Sequence, residues 1–158
     1  MPKTTENHID INVTDPNWHE LIPGLEGFCR KVLLQTLPLL HKPLTGELSI
    51  ALINDEEMRT LNRTYRQKNT PTNVLSFPNP GPDPLLGDIV ISRETVIKEA
   101  EERAKPIQHH FTHMLVHGFL HLQGYNHEKD DEAEIMEQLE INILQTFDID
   151  NPYETHEP

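Results

Sequence analysis

The sequence predicts an α+β domain, a small four-stranded mixed sheet flanked by about five helices. Three observations lead there. Two short strand-like stretches lie in the first third of the chain, two more bracket a Pro-rich segment near the middle, and the last third carries apolar residues at helical spacing. Strands and helices interleaved in this way imply helices packed on a small sheet. At 158 residues, without internal repeats or low-complexity tracts, the chain is expected to form one domain over residues 1–158.

The elements follow in order. "HIDINVT" alternates Ile9, Ile11 and Val13 with polar residues, the pattern of a half-buried strand. Apolar residues at helical spacing predict a helix from about Trp18 to Leu40, and "GELSIALIND" reads as a second strand ended by Asn54 and Asp55. Asp55 is placed as the N-cap of "EEMRTLNRTYR", whose Met58, Leu61 and Tyr65 recur three and four apart. On that spacing Tyr65 is assigned to core packing. "TNVLSFP" and "GDIVIS" form the third and fourth strands. Between them "FPNPGPDPLLG" holds four prolines, which exclude helix and sheet interior alike and predict an exposed loop. Ser92 is expected to cap a helix from about Arg93 to Lys105, and Pro106 to open the next, "PIQHHFTHMLVHGFLHLQG". "DDEAEIMEQLEINILQTF" predicts a last helix with Ile135, Met136, Leu139, Ile143 and Phe147 inward and its acids in water.

Composition narrows the class of function. Acidic residues number 26 against 13 basic ones, a formal net charge of −13 that repels nucleic acid at long range. Any contact with nucleic acid therefore needs a local basic surface. "MRTLNRTYRQK" offers one, with Arg59, Arg63, Arg66 and Lys68 and no acid among them, although such a run also suits a solvated helix face. The single cysteine, Cys29, excludes an intramolecular disulfide framework and fits a reducing cytoplasm. No secretory leader and no membrane-length apolar run is apparent, so a cytoplasmic protein without membrane contact is expected.

The chemistry concentrates in "HGFLHLQGYNH", residues 117–127. His117 and His121 stand four apart on a predicted helix, so their imidazoles share one face about 6 Å apart and can bind one tetrahedral metal. Gly124 follows the last apolar helical residue, Leu122, and can turn the chain back to bring His127 as a third ligand. Three protein ligands with an open position is the catalytic arrangement of zinc, whereas structural sites are closed by four. The spacing is that of the zincin-like metal helix of zinc proteases, except that Gly118 stands where those enzymes carry a glutamate base. Zinc-bound water has a pKa of about 7, so hydroxide is available at neutral pH without that base. His113, one turn earlier on the same face, is assigned a buried, hydrogen-bonded role, and His109 and His110 are assigned to surface or packing.

These residues resemble a known family. "HGFLHLQGYNH" is similar to the H-G-x-L-H-L-x-G-Y-D-H signature of the YbeY family of bacterial endoribonucleases, and "NRTYRQKNTPTNVLSFP" to its N-x-x-Y-R-x-K-D-x-P-T-[DN]-V-L-S-F-P block. "LLGDIVIS", "HHFTHMLVHG" and "DDEAEIME" follow in the family's order, so the likeness runs from about Leu48 to Leu144. The resemblance implies one Zn2+ per chain held by His117, His121 and His127, and a functional Arg66. It implies an endoribonuclease of single-stranded RNA in ribosomal RNA maturation and ribosome quality control, with ribosomal proteins or assembly factors as partners and no DNA expected. Asn69 and Asn126 depart from the family, which usually carries Asp at both places; Asn126 would keep a hydrogen bond to a ligand or water but lose its charge.

The expected chemistry suits those residues. Cleaving a phosphodiester places negative charge on oxygens that zinc and a guanidinium stabilise together, and the planar fork of Arg66 can pair with phosphate in two places. Zinc-bound water or hydroxide would act as nucleophile or base, with His117, His121 and Arg66 forming the catalytic set. A surface ion pair is the other reading of Arg66. Ser76 either lines the cleft or fills a small pocket. Two other functions stay open: a zinc-dependent peptide hydrolase using Glu128 or Asp130 as base, and a non-catalytic ribosome-assembly factor containing structural zinc.

Overall fold

The computed structural model describes residues 9–40, 47–78, 87–125 and 128–153. The element order is β1 (Ile9–Val13), α1 (Asn17–Leu21), α2 (Leu25–Leu40), β2 (Leu48–Ile53), α3 (Asp55–Arg66), β3 (Val74–Pro78), β4 (Gly87–Ser92), α4 (Arg93–Glu102), α5 (Ile107–Leu122) and α6 (Asp130–Gln145). The four strands make one mixed sheet in the order β1-β2-β4-β3. β1 and β4 both run parallel to β2, whereas β3 pairs antiparallel with β4 and forms an edge. The expected α+β fold with a four-stranded mixed sheet is therefore the observed one. The Pro-rich loop between β3 and β4 and both chain ends lie mostly outside the described residues.

Alternation along the strands sorts side chains onto two faces. Leu48, Ile50 and Leu52 of β2 join Ile89 and Ile91 of β4 in the larger core, under α2, α5 and α6. The odd register of β2 and even register of β4 put Ile53 and Val90 on the other face, where with Leu75 they meet Met58 of α3. Helix α5 is the hub. It is buried on nearly every side, including Phe111, Leu115, Phe119 and Leu120, so its two cleft histidines project from a rigid support. Removing either phenylalanine side chain would cost about 3–5 kcal/mol.

Five local expectations need correction. The first predicted helix is two helices, because Pro23 cannot continue a helix and pushes the preceding Ile22 into an extended conformation, φ −130° and ψ 98°. The N-cap of α3 is Asn54 rather than Asp55. Its side chain accepts from the Glu57 N–H while the Glu57 carboxylate accepts from the Asn54 N–H, a reciprocal capping box. Asp55 instead accepts from the hydroxyls of Ser92 (2.5 Å) and Thr95 (2.6 Å), tying α3 to α4. Ser92 stands at the N-cap position of α4, but its hydroxyl is spent on that contact. In α6 the inward stripe contains Met136 and Ile143 as expected, while Ile135 is 57% exposed. One acid of that helix, Glu140, is fully buried, against the expectation that all face water.

Candidate functional site

The C-terminal half of α5 and the edge strand β3 form the walls of a cleft of about 500 Å³. Arg66, Asn73, Ser76, His117, His121 and Glu128 are among its lining residues. The imidazoles of His117 and His121 have ring centroids 4.7 Å apart and are nearly perpendicular, as one helical turn allows. Gly124, at φ 100°, has the positive backbone angle expected of the turn after the helix. The predicted third ligand, His127, lies outside the described residues, as does Asn126.

Gly118 acquires a structural explanation. A Cβ there would stand 3.0 Å from Ile89 Cγ2, 3.1 Å from Val74 Cγ2 and 3.2 Å from Ser76 Oγ, so any larger residue would have to push the sheet side chains aside. This position faces the sheet, and a glutamate in it would be buried in the helix–sheet contact. The Ser76 hydroxyl donates to the Gly118 carbonyl at 2.9 Å, so Ser76 both lines the cleft and holds β3 against α5.

Behind the cleft, His117 is oriented by a residue that sequence reasoning missed. Its Nδ1 lies 2.6 Å from Oε2 of Glu140, which also receives His113 Nε2 at 3.4 Å and the Tyr153 hydroxyl on Oε1. Burial pushes the Glu140 carboxyl up, but the hydrogen bonds and charges of His113 and His117 outweigh it and hold the pKa down at about 2. An ionised carboxylate only accepts, so His117 Nδ1 carries the proton of this contact, and Nε2 is the nitrogen turned away from Glu140. Burial lowers the His113 pKa and, followed by the Glu140 charge, raises that of Tyr153. His113 thus has the buried, hydrogen-bonded place expected of it. His110 is buried and pairs with Glu99 at 2.8 Å. Glu99 in turn accepts from the Asn73 amide at 3.0 and 3.2 Å, fixing the start of β3 at the cleft wall.

Arg66 is the last residue of α3 and is exposed, with no salt bridge among the described residues. Its surroundings do not match the surface ion pair considered from sequence. Arg59, Arg63, Lys68 and Asn69 are exposed as well. Tyr65, expected in the core, is 63% exposed and meets Phe77 edge-on at 5.2 Å at the side of an open groove.

Two donor sets can be drawn around His117. His113, His117 and Glu140 offer ligand atoms all within 4.8 Å of one another and could hold a metal ion. Yet ligands of one tetrahedral zinc stand roughly 3.3 Å apart, and the 2.6 Å between His117 Nδ1 and Glu140 is a direct hydrogen bond. The other set would use Nε2 of His117 with His121 at the open cleft, and there Glu140 would be the outer carboxylate that metal-binding histidines usually have. The paired imidazoles, one of them held through Nδ1 by Glu140, could take a metal ion between them.

Comparisons with known proteins show the family. A family model described as Endoribonuclease YbeY matches residues 12–148. Endoribonuclease YbeY of Bartonella bacilliformis is 51% identical over 157 residues, covering 92% of this chain and 97% of that protein. The protein of the same name from Bartonella henselae is 44% identical over 153 residues, with 92% and 96% covered. That of a Chelativorans species is 46% identical over 151 residues, with 92% of each covered. The solution structure of TM1509 from Thermotoga maritima superposes with a TM-score of 0.55 over 95% of this chain and 97% of that one. At 23% identity, that likeness concerns the fold alone.

Proposed function

Because the chain belongs to the YbeY family, and is thereby a metal-dependent endoribonuclease, we propose that it is a zinc enzyme that cuts single-stranded RNA during ribosomal RNA maturation and ribosome quality control. The observation that carries this reading is the pair His117 and His121 on a cleft shared with Arg66, with Glu140 fixing His117 from behind. In this reading His117, His121 and His127 hold one zinc ion, and residues 1–158 act as one catalytic domain. When bound, zinc supplies Lewis acidity at the phosphate and an activated water at neutral pH.

The chain's own residues do the rest. Glu140 keeps the proton on His117 Nδ1, so that Nε2 faces the cleft as a donor of electrons. Arg66 pairs with the non-bridging oxygens of the scissile phosphate and stabilises the charge that grows on them. Asn73, held by Glu99, and Ser76, held by the Gly118 carbonyl, keep the β3 wall in place. Ribosomal proteins or assembly factors are the proposed partners, and the cytoplasm the proposed compartment. Supporting the latter, the one cysteine is a free, buried thiol, so the chain has no intramolecular disulfide that an oxidising compartment would be needed to form.

The test is to assay zinc content and cleavage of single-stranded ribosomal RNA in wild type, His117→Ala and Arg66→Glu. We expect His117→Ala to lose both zinc and activity, and Arg66→Glu to keep zinc but lose activity. Wild-type rates in a zinc-loaded Arg66→Glu protein would remove the arginine from the reaction. The ends of the products identify the attacking group: a 2′,3′-cyclic phosphate means the RNA's own hydroxyl, and a 5′-phosphate with a 3′-hydroxyl means water. One observation favours a second reading, a peptide hydrolase, since Glu128 lines the cleft where a base would be needed. Peptide turnover lost on Glu128→Gln, with RNA uncut by wild type, would select it.

A further inference from the structure

We propose that the groove between Tyr65 and Phe77, on the face of the sheet opposite the cleft, binds one unpaired nucleobase of the RNA being cut; this rests on reading the cleft as an RNA site. The edge strand β3 separates the two concavities. Ser76 turns toward α5 and the cleft, while Leu75 and Phe77 turn toward α3. The two sites are continuous around that edge: Arg66 and Pro78 line the cleft, and their immediate neighbours Tyr65 and Phe77 line the groove. Consecutive residues stand about 3.8 Å apart, so a phosphate held at Arg66 and a base held at Tyr65 fall within reach of one short run of nucleotides.

The groove has the chemistry of a base-stacking platform. Its volume is about 350 Å³, at the lower end of the roughly 300–1,000 Å³ of small-molecule pockets. Its floor is apolar where Ala51 and Val90 lie side by side in register. One row further, Ser49, Asp88 and Phe77 align across three strands, giving polar groups able to meet a base edge beside an aromatic ring. Tyr65 meets Phe77 edge-on with the rings inclined at 60°, and it is 63% exposed, so much of its ring is open for stacking. Arg63 and Arg66, both exposed, flank Tyr65 in the last turn of α3 and match the phosphates that accompany a base. Stacking on aromatic rings tolerates any base but requires that it leave its duplex partner, which would make the enzyme select single strands.

The test compares cleavage of a short single-stranded RNA by the zinc-loaded full chain as wild type, Tyr65→Ala and Tyr65→Trp. Stacking predicts that Tyr65→Ala raises KM by about tenfold or more, with zinc content and thermal midpoint at wild-type values, and that Tyr65→Trp restores KM. A substrate set with one abasic site at each position is then used. One of these sites should raise the wild-type KM and abolish the difference between wild type and Tyr65→Ala. Equal KM for wild type and Tyr65→Ala would overturn the groove while leaving the cleft reading intact. A zinc-loaded wild type that cuts no RNA would overturn both. A Tyr65→Ala penalty that persists with every abasic substrate, or one explained by dissociation of a dimer in light scattering, would assign the groove to a protein contact and overturn the base site.

Discussion

His117 Nδ1 and Glu140 Oε2 lie 2.6 Å apart, joining the helix that carries the cleft histidines to the last helix of the fold. The carboxylate is fully buried and also takes the Tyr153 hydroxyl and His113. A charge in that position is tolerated because three donors replace its water. Their arrangement makes the tautomer of His117 a property of the packing of α5 on α6.

Glu140→Gln keeps the size but removes the charge and turns a donor toward other donors. Zinc affinity should fall about 10–100-fold, measured by competition with a chromogenic chelator. The thermal midpoint of the zinc-free protein should fall too, reflecting about 1–3 kcal/mol for buried groups left unmatched. Wild-type affinity in this variant would separate Glu140 from the metal.

His121→Ala and His113→Ala distinguish the two donor sets around His117. With the ion at the cleft, His121→Ala loses most of its zinc, whereas His113→Ala retains one equivalent and is chiefly less stable. The opposite pattern in metal analysis would place the ion among His113, His117 and Glu140.

Gly118→Ala sets the gain in helix propensity, about 1 kcal/mol, against overpacking of about 1–3 kcal/mol at Ile89, Val74 and Ser76. We expect a net loss of up to about 2 kcal/mol in urea unfolding. Gly118→Glu, which restores the residue of zinc proteases, should destroy the fold and confer no peptide cleavage. A soluble, stable Gly118→Glu protein would contradict the close approach of α5 to the sheet.

Asp15 accepts from Arg93 Nε at 2.6 Å and ties the start of α1 to α4. Burial pushes its carboxyl up, but the Arg93 hydrogen bond, the Asn17 N–H and the Arg93 charge together bring it below the ordinary 3.8. A lowered folded pKa means that the contribution is fully present above 3.8 and is lost as pH falls through the lower folded value. Asp15→Asn should therefore be less stable at pH 7 by about 1.5–3 kcal/mol. The gap from wild type should shrink on acidification below the ordinary aspartate range. A gap independent of pH in denaturation midpoints would show that the charge contributes nothing.

What the sequence determined by itself was whatever depends on neighbours along the chain. Strand alternation in "HIDINVT", the i and i+4 spacing of His117 and His121, and the turn at Gly124 are local patterns, and each is seen in the fold. The order of two long motifs was enough to indicate the family. Glu140 was half legible, since it shares a helical stripe with Met136, Ile143 and Leu144, yet an acid in an acidic helix reads as solvent-facing until a partner is visible. Tertiary structure alone decided the rest. Glu140 reaches His117 only because α6 packs on α5, Gly118 is needed only because α5 lies against β3 and β4, and Tyr65, 63% exposed, meets only the edge of Phe77 because α3 lies over β3 at that point. These are contacts between elements distant in sequence, and periodicity along one element contains no information about how closely the next one approaches.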